Sequence, residues 1–125
     1  MQDISNRKDI HFIITKFYEK LVADTDMLPF FDPILKQNHL TAHINVIADF
    51  WNDILFYTAT YQNNVLQKHL NFDAKVTFKK EHFEKWLHYL TETVEKYFKG
   101  QNAQNMLDRA NSIAQVMQVK MKLYD

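Results

Sequence analysis

Six histidines and no cysteine decide which chemistry this chain can carry. Without cysteine there are no disulfides, thiolate metal sites or sulfur nucleophiles, and no C-x-x-C-H attachment of a covalent cofactor. Serine occurs only at Ser5 and Ser112, with no G-x-S-x-G turn to present a hydrolase nucleophile. His39 and His43 have the i, i+4 spacing of two zinc ligands on a helix, but no Glu follows His39 and no third ligand is evident. A di-iron bundle needs two Glu-x-x-His pairs, whereas Glu84 and His88 are one residue too far apart. Two histidines stand out by their placement, His43 and His69. His43 stands in line with Ile47, Phe50 and Ile54 and faces the interior if they do; taken alone, it reads as an inert histidine at the edge of a core. His69 lies between Leu66 and Leu70 in a short predicted helix flanked by loops, and alone it reads as a partly exposed surface histidine.

The elements that must position these residues are helical almost throughout. Ile10, Ile13, Ile14, Phe17 and Leu21 recur at three- and four-residue steps and predict an amphipathic helix from about Asn6 to Asp24, with Tyr18 beside the stripe. The two prolines of the 26–33 segment, Pro29 and Pro33, predict a short helical turn followed by a corner. A second helix runs from about Thr41 to Thr58, with Trp51 and Leu55 alongside its His43–Ile54 stripe. Residues 65–70 suffice for one or two helical turns, and Thr77 is a candidate N-cap for the next helix. Phe83, Trp86, Leu87, Leu90, Val94 and Tyr97 define that third long helix, closed by Lys96, Lys99 and Gly100. Met106, Ala110, Ile113, Met117 and Met121 form the stripe of the last one.

Composition narrows the function classes. Residues 1–125 suit one domain with one core. A single glycine removes the Gly-rich loops of Rossmann and P-loop sites. Fifteen acidic and fifteen basic residues cancel, with no basic stripe, which argues against nucleic acid. A mean hydropathy of −0.41, the absence of any apolar run of bilayer length and an N-terminus unlike a signal peptide argue for a cytoplasmic, membrane-free protein. Aromatics are abundant, at 14% of residues, ten of them Phe, which suits a bulky core or a pocket for a flat apolar ligand.

Taken as an ordered set, Tyr18, Phe31, His43, Ile47, Phe50, His69, Phe83 and Trp86 resemble the truncated haemoglobins, and within them the third group. Leu66-Gln67-Lys68-His69-Leu70 matches the stretch carrying the family's haem-ligating histidine, and Leu28-Pro29-Phe30-Phe31 its turn, whose last Phe stacks on the haem. His43 to Trp51 resembles the distal helix, with His43 over the iron. Tyr18 matches the distal tyrosine and Trp86 the distal tryptophan. The likeness runs from about Lys8 to Tyr124, and the glycine-pair motifs of the other truncated groups are missing.

The resemblance implies an all-α, two-over-two truncated globin fold around a non-covalent haem b, with one domain over residues 1–125. His69 would be the iron ligand, its second ring nitrogen bonded to a backbone carbonyl. Tyr18, His43 and Trp86 would face the diatomic ligand; Phe31, Ile47, Phe50 and Phe83 would wall the cofactor, and Lys68 would meet a propionate or remain a solvated charge. Hydrogen-bond donors stabilise a polarised ligand such as oxygen in a low-dielectric pocket. The function implied is binding of oxygen, nitric oxide and carbon monoxide, with nitric oxide dioxygenase or peroxidase-like chemistry, and then a reductase partner, open to it. The alternative is a haem-free helical sensor or interaction module. His69 together with a polar distal trio favours the first reading, since a scaffold has no use for buried donors. A zinc hydrolase built on His39 and His43 lacks its third ligand.

Overall fold

The computed structural model describes residues 1–58 and 79–120, and these contain five helices and no strand. Helix α1, Arg7–Ala23, is capped by Asn6, whose side chain accepts the Asp9 N–H at 3.0 Å. It buries Ile10, Ile13, Ile14, Phe17, Tyr18 and Leu21, and the two ends expected of it, Asn6 and Asp24, prove to be its caps.

The proline segment departs from expectation. It forms a continuous nine-residue helix, α2, Leu28–Lys36. Pro29 falls in the first turn, where its missing N–H would have had no partner in any case. Pro33 then removes only the bond that would have reached the Pro29 carbonyl, while its own carbonyl still accepts the Gln37 N–H at 3.2 Å. Burial of Phe30 and Phe31 holds the helix against the core.

Helix α3, Leu40–Phe56, comes after a sharp corner at Asn38 (φ 58°) and stops at Tyr57, also left-handed (φ 57°). Its packed face is Ile44, Ile47, Ala48, Trp51 and Leu55; His43, Phe50 and Ile54 lie half-buried on the flank. The sequence centred that face one residue step away, because both stripes are apolar.

Helix α4, Lys80–Tyr97, begins with a local cap in which His82 Nδ1 accepts the Lys79 N–H at 2.8 Å. The expected N-cap, Thr77, lies outside the described residues. Gly100 does not end this helix, which closes at Phe98, but leads into α5, Gln101–Lys120. Its φ of 153° favours glycine, and a Cβ there would stand 2.4 Å from the Asp3 side chain. Asp3 occupies that space because its carboxylate accepts the N–H groups of Asn102 and Ala103, both at 2.9 Å, and so caps α5 from across the chain. Ala103, Met106, Ala110, Ala114 and Met117 form the buried stripe of α5; Ile113 is half-buried, and Met121 lies outside the described residues.

Helix α1 packs mainly on α3, and α4 on α5, with further contacts of α1 with α4 and α3 with α5. The four long helices thus pack as two contacting pairs, and α2 bridges α1 and α3. Among the described residues, no helix is long and apolar enough to cross a membrane.

Candidate functional site

The chemistry-bearing residues of α1, α2, α3 and α4 meet at the centre of this sandwich. Tyr18 leaves α1 on the buried side, and its hydroxyl lies 2.7 Å from His43 Nε2 on α3. The neutral phenol is the more acidic partner and is assigned as donor, which leaves the His43 proton on Nδ1. Burial pushes the Tyr18 phenol well above its ordinary pKa, so it remains protonated. Phe31 of α2 meets the Tyr18 ring edge-on at 5.3 Å between centroids, and Phe17 does so at 5.6 Å.

Trp86 of α4 packs edge-on to Phe17 at 5.9 Å and is 9% exposed. Its indole N–H has no hydrogen-bond acceptor among the described residues. A buried donor left unpaired costs about 1–3 kcal/mol. Trp86 lines a cavity of about 20 Å³ with Phe17, Tyr18, Ile47, Phe50 and Trp51, enough space for one water or a diatomic molecule. Phe83 is fully buried one helical turn before Trp86.

The structure therefore brings together Tyr18, His43, Ile47, Phe50 and Trp86, with Phe31 against Tyr18. Lys68 and His69 lie outside the described residues. Sequence reasoning missed Phe17 and Trp51 as cavity walls, although both stand on apolar stripes beside residues it named. It also missed Arg7, whose guanidinium Nε donates to Asp49 Oδ1 at 2.8 Å and ties α1 to the helix bearing His43. An Arg-to-Asp separation of 42 residues has no local signature. Among the described residues no group of three or more metal-ligating side chains occurs.

The comparisons with known proteins agree with this geometry. No family model matches the chain. Over 121 residues it is 28% identical to a group 3 truncated haemoglobin of Campylobacter jejuni, a match spanning 95% of this chain and 93% of that one. The crystal structure of a group III truncated haemoglobin from Campylobacter jejuni superposes with a TM-score of 0.84, at 28% identity, over 100% of this chain and 97% of the other. The fold is therefore the truncated globin fold. Within that class, the likeness to the third group that the sequence carries is shown by both comparisons.

A globin of this kind implies haem, and the described residues fit it on the ligand side. Two buried hydrogen-bonding side chains, Tyr18 and Trp86, converge with His43 among flat apolar walls, and the Trp86 N–H is a donor in want of an acceptor.

Proposed function

We propose that this chain binds haem b through His69 and holds oxygen, nitric oxide or carbon monoxide on the face lined by Tyr18, His43 and Trp86. The observation that carries the reading is buried Trp86, which lines a cavity of diatomic size and whose indole N–H has no acceptor among the described residues. A polar guest in that pocket would supply the acceptor that the N–H lacks among the described residues. When bound, the haem iron supplies reversible diatomic binding and one-electron chemistry.

The protein's own contribution is positional. Trp86 offers an N–H that no neighbour among the described residues consumes. Tyr18 offers an O–H already aimed at His43, so its donation to a ligand depends on what His43 does. Phe31, Ile47, Phe50 and Phe83 exclude water, which strengthens each remaining polar contact. Tight polar retention of this kind suits redox chemistry on oxygen or nitric oxide, fed by a reductase, better than transport. Lys68 is assigned to a haem propionate on the resemblance alone.

Absorption spectra of the haem-reconstituted protein and of His69→Leu test the reading. The parent should take up one haem per chain. The variant should lose stable uptake or need added imidazole to recover it. An unchanged Soret band and ligand state in His69→Leu would overturn the assignment.

A further inference from the structure

A polar junction next to the pocket has no part in the proposed ligand chemistry. Asp24 caps the end of α1, and its side chain is only 10% exposed. Its carboxylate accepts from the Tyr89 hydroxyl at 2.5 Å, from Lys85 Nζ at 3.1 and 3.3 Å, and from the Asp26 N–H at 2.8 Å. Lys85 also reaches Asp26 at 2.8 Å. The Tyr89 hydrogen bond, outweighing partial burial and helped by Asp26 N–H and Lys85, lowers the Asp24 carboxyl to about 2, so it stays charged at any physiological pH.

Along this seam α1 and α4 run in opposite directions. Asp24 faces Lys85 and Tyr89, Lys20 faces Glu92 at 2.6 Å, and Phe12 meets Tyr97 at 4.8 Å. The Lys20–Glu92 pair is partly exposed and holds little, whereas Asp24 gathers three donors at a nearly buried position. Trp86 sits between Lys85 and Tyr89 in sequence, within the same helical turn. Its own N–H makes no hydrogen bond among the described residues, so no polar contact of its own fixes the ring. Its place is set by how α4 seats on α1.

We infer that Asp24 is a positioning residue for the ligand pocket: by gripping Lys85 and Tyr89 from the end of α1, it sets where the Trp86 indole stands relative to Tyr18. The inference rests on the proposed function only for what Trp86 would touch. Its placement can be tested without haem.

In a Trp51→Phe background, Trp86 is the chain's one remaining tryptophan. The haem-free full-length chain would be compared with its Asp24→Asn, Tyr89→Phe and Glu92→Gln variants by emission maximum and acrylamide quenching, at helix content matched by circular dichroism. Asp24→Asn and Tyr89→Phe should shift emission to the red and quench more readily. Glu92→Gln, which removes the charge that Lys20 and His88 meet at an exposed position of the same helix and leaves the contacts of Asp24 in place, should not. If Asp24→Asn loses helix content, Tyr89→Phe decides. In a second arm, haem-reconstituted Asp24→Asn should shift the C–O stretch of the carbonyl complex and release oxygen about tenfold faster, as expected for weakening one polar contact. A parent that takes up no haem would defeat the proposed function and leave the fluorescence arm to judge Asp24. Emission and quenching unchanged in both Asp24→Asn and Tyr89→Phe, or changed equally in Glu92→Gln, would overturn the inference.

Discussion

Tyr18 and His43 are joined by a 2.7 Å hydrogen bond that crosses from α1 to α3 on the face where a ligand would lie. With Tyr18 assigned as the donor to His43, the donor without an acceptor among the described residues is the Trp86 indole N–H. Tyr18 and Trp86 therefore differ in what their protons meet among the described residues.

That inequality predicts an order of effects on oxygen release. Trp86→Phe removes the uncommitted donor and should speed release by about 10- to 100-fold, the worth of one hydrogen bond to a partly charged acceptor. Tyr18→Phe should do less. In a His43→Leu background Tyr18 loses its acceptor and turns to the ligand, so release should slow, and Tyr18→Phe should then cost more than it does in the parent. The coupling appears as a non-additive double-mutant cycle in stopped-flow oxygen release. Additive effects, or a faster His43→Leu protein, would show that Tyr18 already serves the ligand directly.

Much of this was legible in the sequence because it is periodic or aromatic. Ile10, Ile13, Ile14, Phe17 and Leu21 mark the buried stripe of α1 without ambiguity, and Tyr18 sits beside them. Pro29 and Pro33 misled, since a first-turn proline costs a helix nothing and the second lies where its single lost bond is tolerated. Helix α3 was harder because His43, Phe50 and Ile54 form one apolar stripe and Ile44, Trp51 and Leu55 another; only packing against α1 and α5 chooses between them. Asp3, Arg7 and Asp24 were invisible, as each acts on a partner far away in sequence.

Asp3 carries the next prediction. Burial alone would raise its carboxyl, but the N–H groups of Asn102, Ala103 and Ile4 outweigh this and hold it below the ordinary value. Its stabilising effect is therefore complete above the unfolded aspartate pKa of about 3.9 and fades as pH falls through the lower folded value. Asp3→Ala should cost about 1 kcal/mol in urea unfolding at neutral pH, the usual worth of a lost N-cap. Gly100→Ala should destabilise as well, because its Cβ would strike the Asp3 side chain at a φ that L residues avoid. If Asp3→Ala left the urea midpoint unchanged, the remote cap would contribute nothing.

The cap of α4 predicts a loss of stability at milder acidity. His82 Nδ1 accepts the Lys79 N–H, and its ring packs edge-on to Phe30 of α2 at 4.7 Å. An imidazolium has no lone pair at Nδ1, so protonation deletes the cap. Desolvation lowers the His82 pKa and outweighs the pull of Glu81 and Asp26, while Lys79 and Lys85 add to the lowering. The folded chain thus resists a proton that the unfolded chain accepts near pH 6.5. Stability should be full above that value and fall as pH drops from it toward the lower folded pKa. Glutamine at this position of a helix can reach back to the same N–H without titrating. His82→Gln should therefore hold its urea midpoint better than the parent between about pH 7.5 and about pH 5.5. Parallel decline of the two proteins over that range would mean that another group, and not this cap, sets the acid sensitivity.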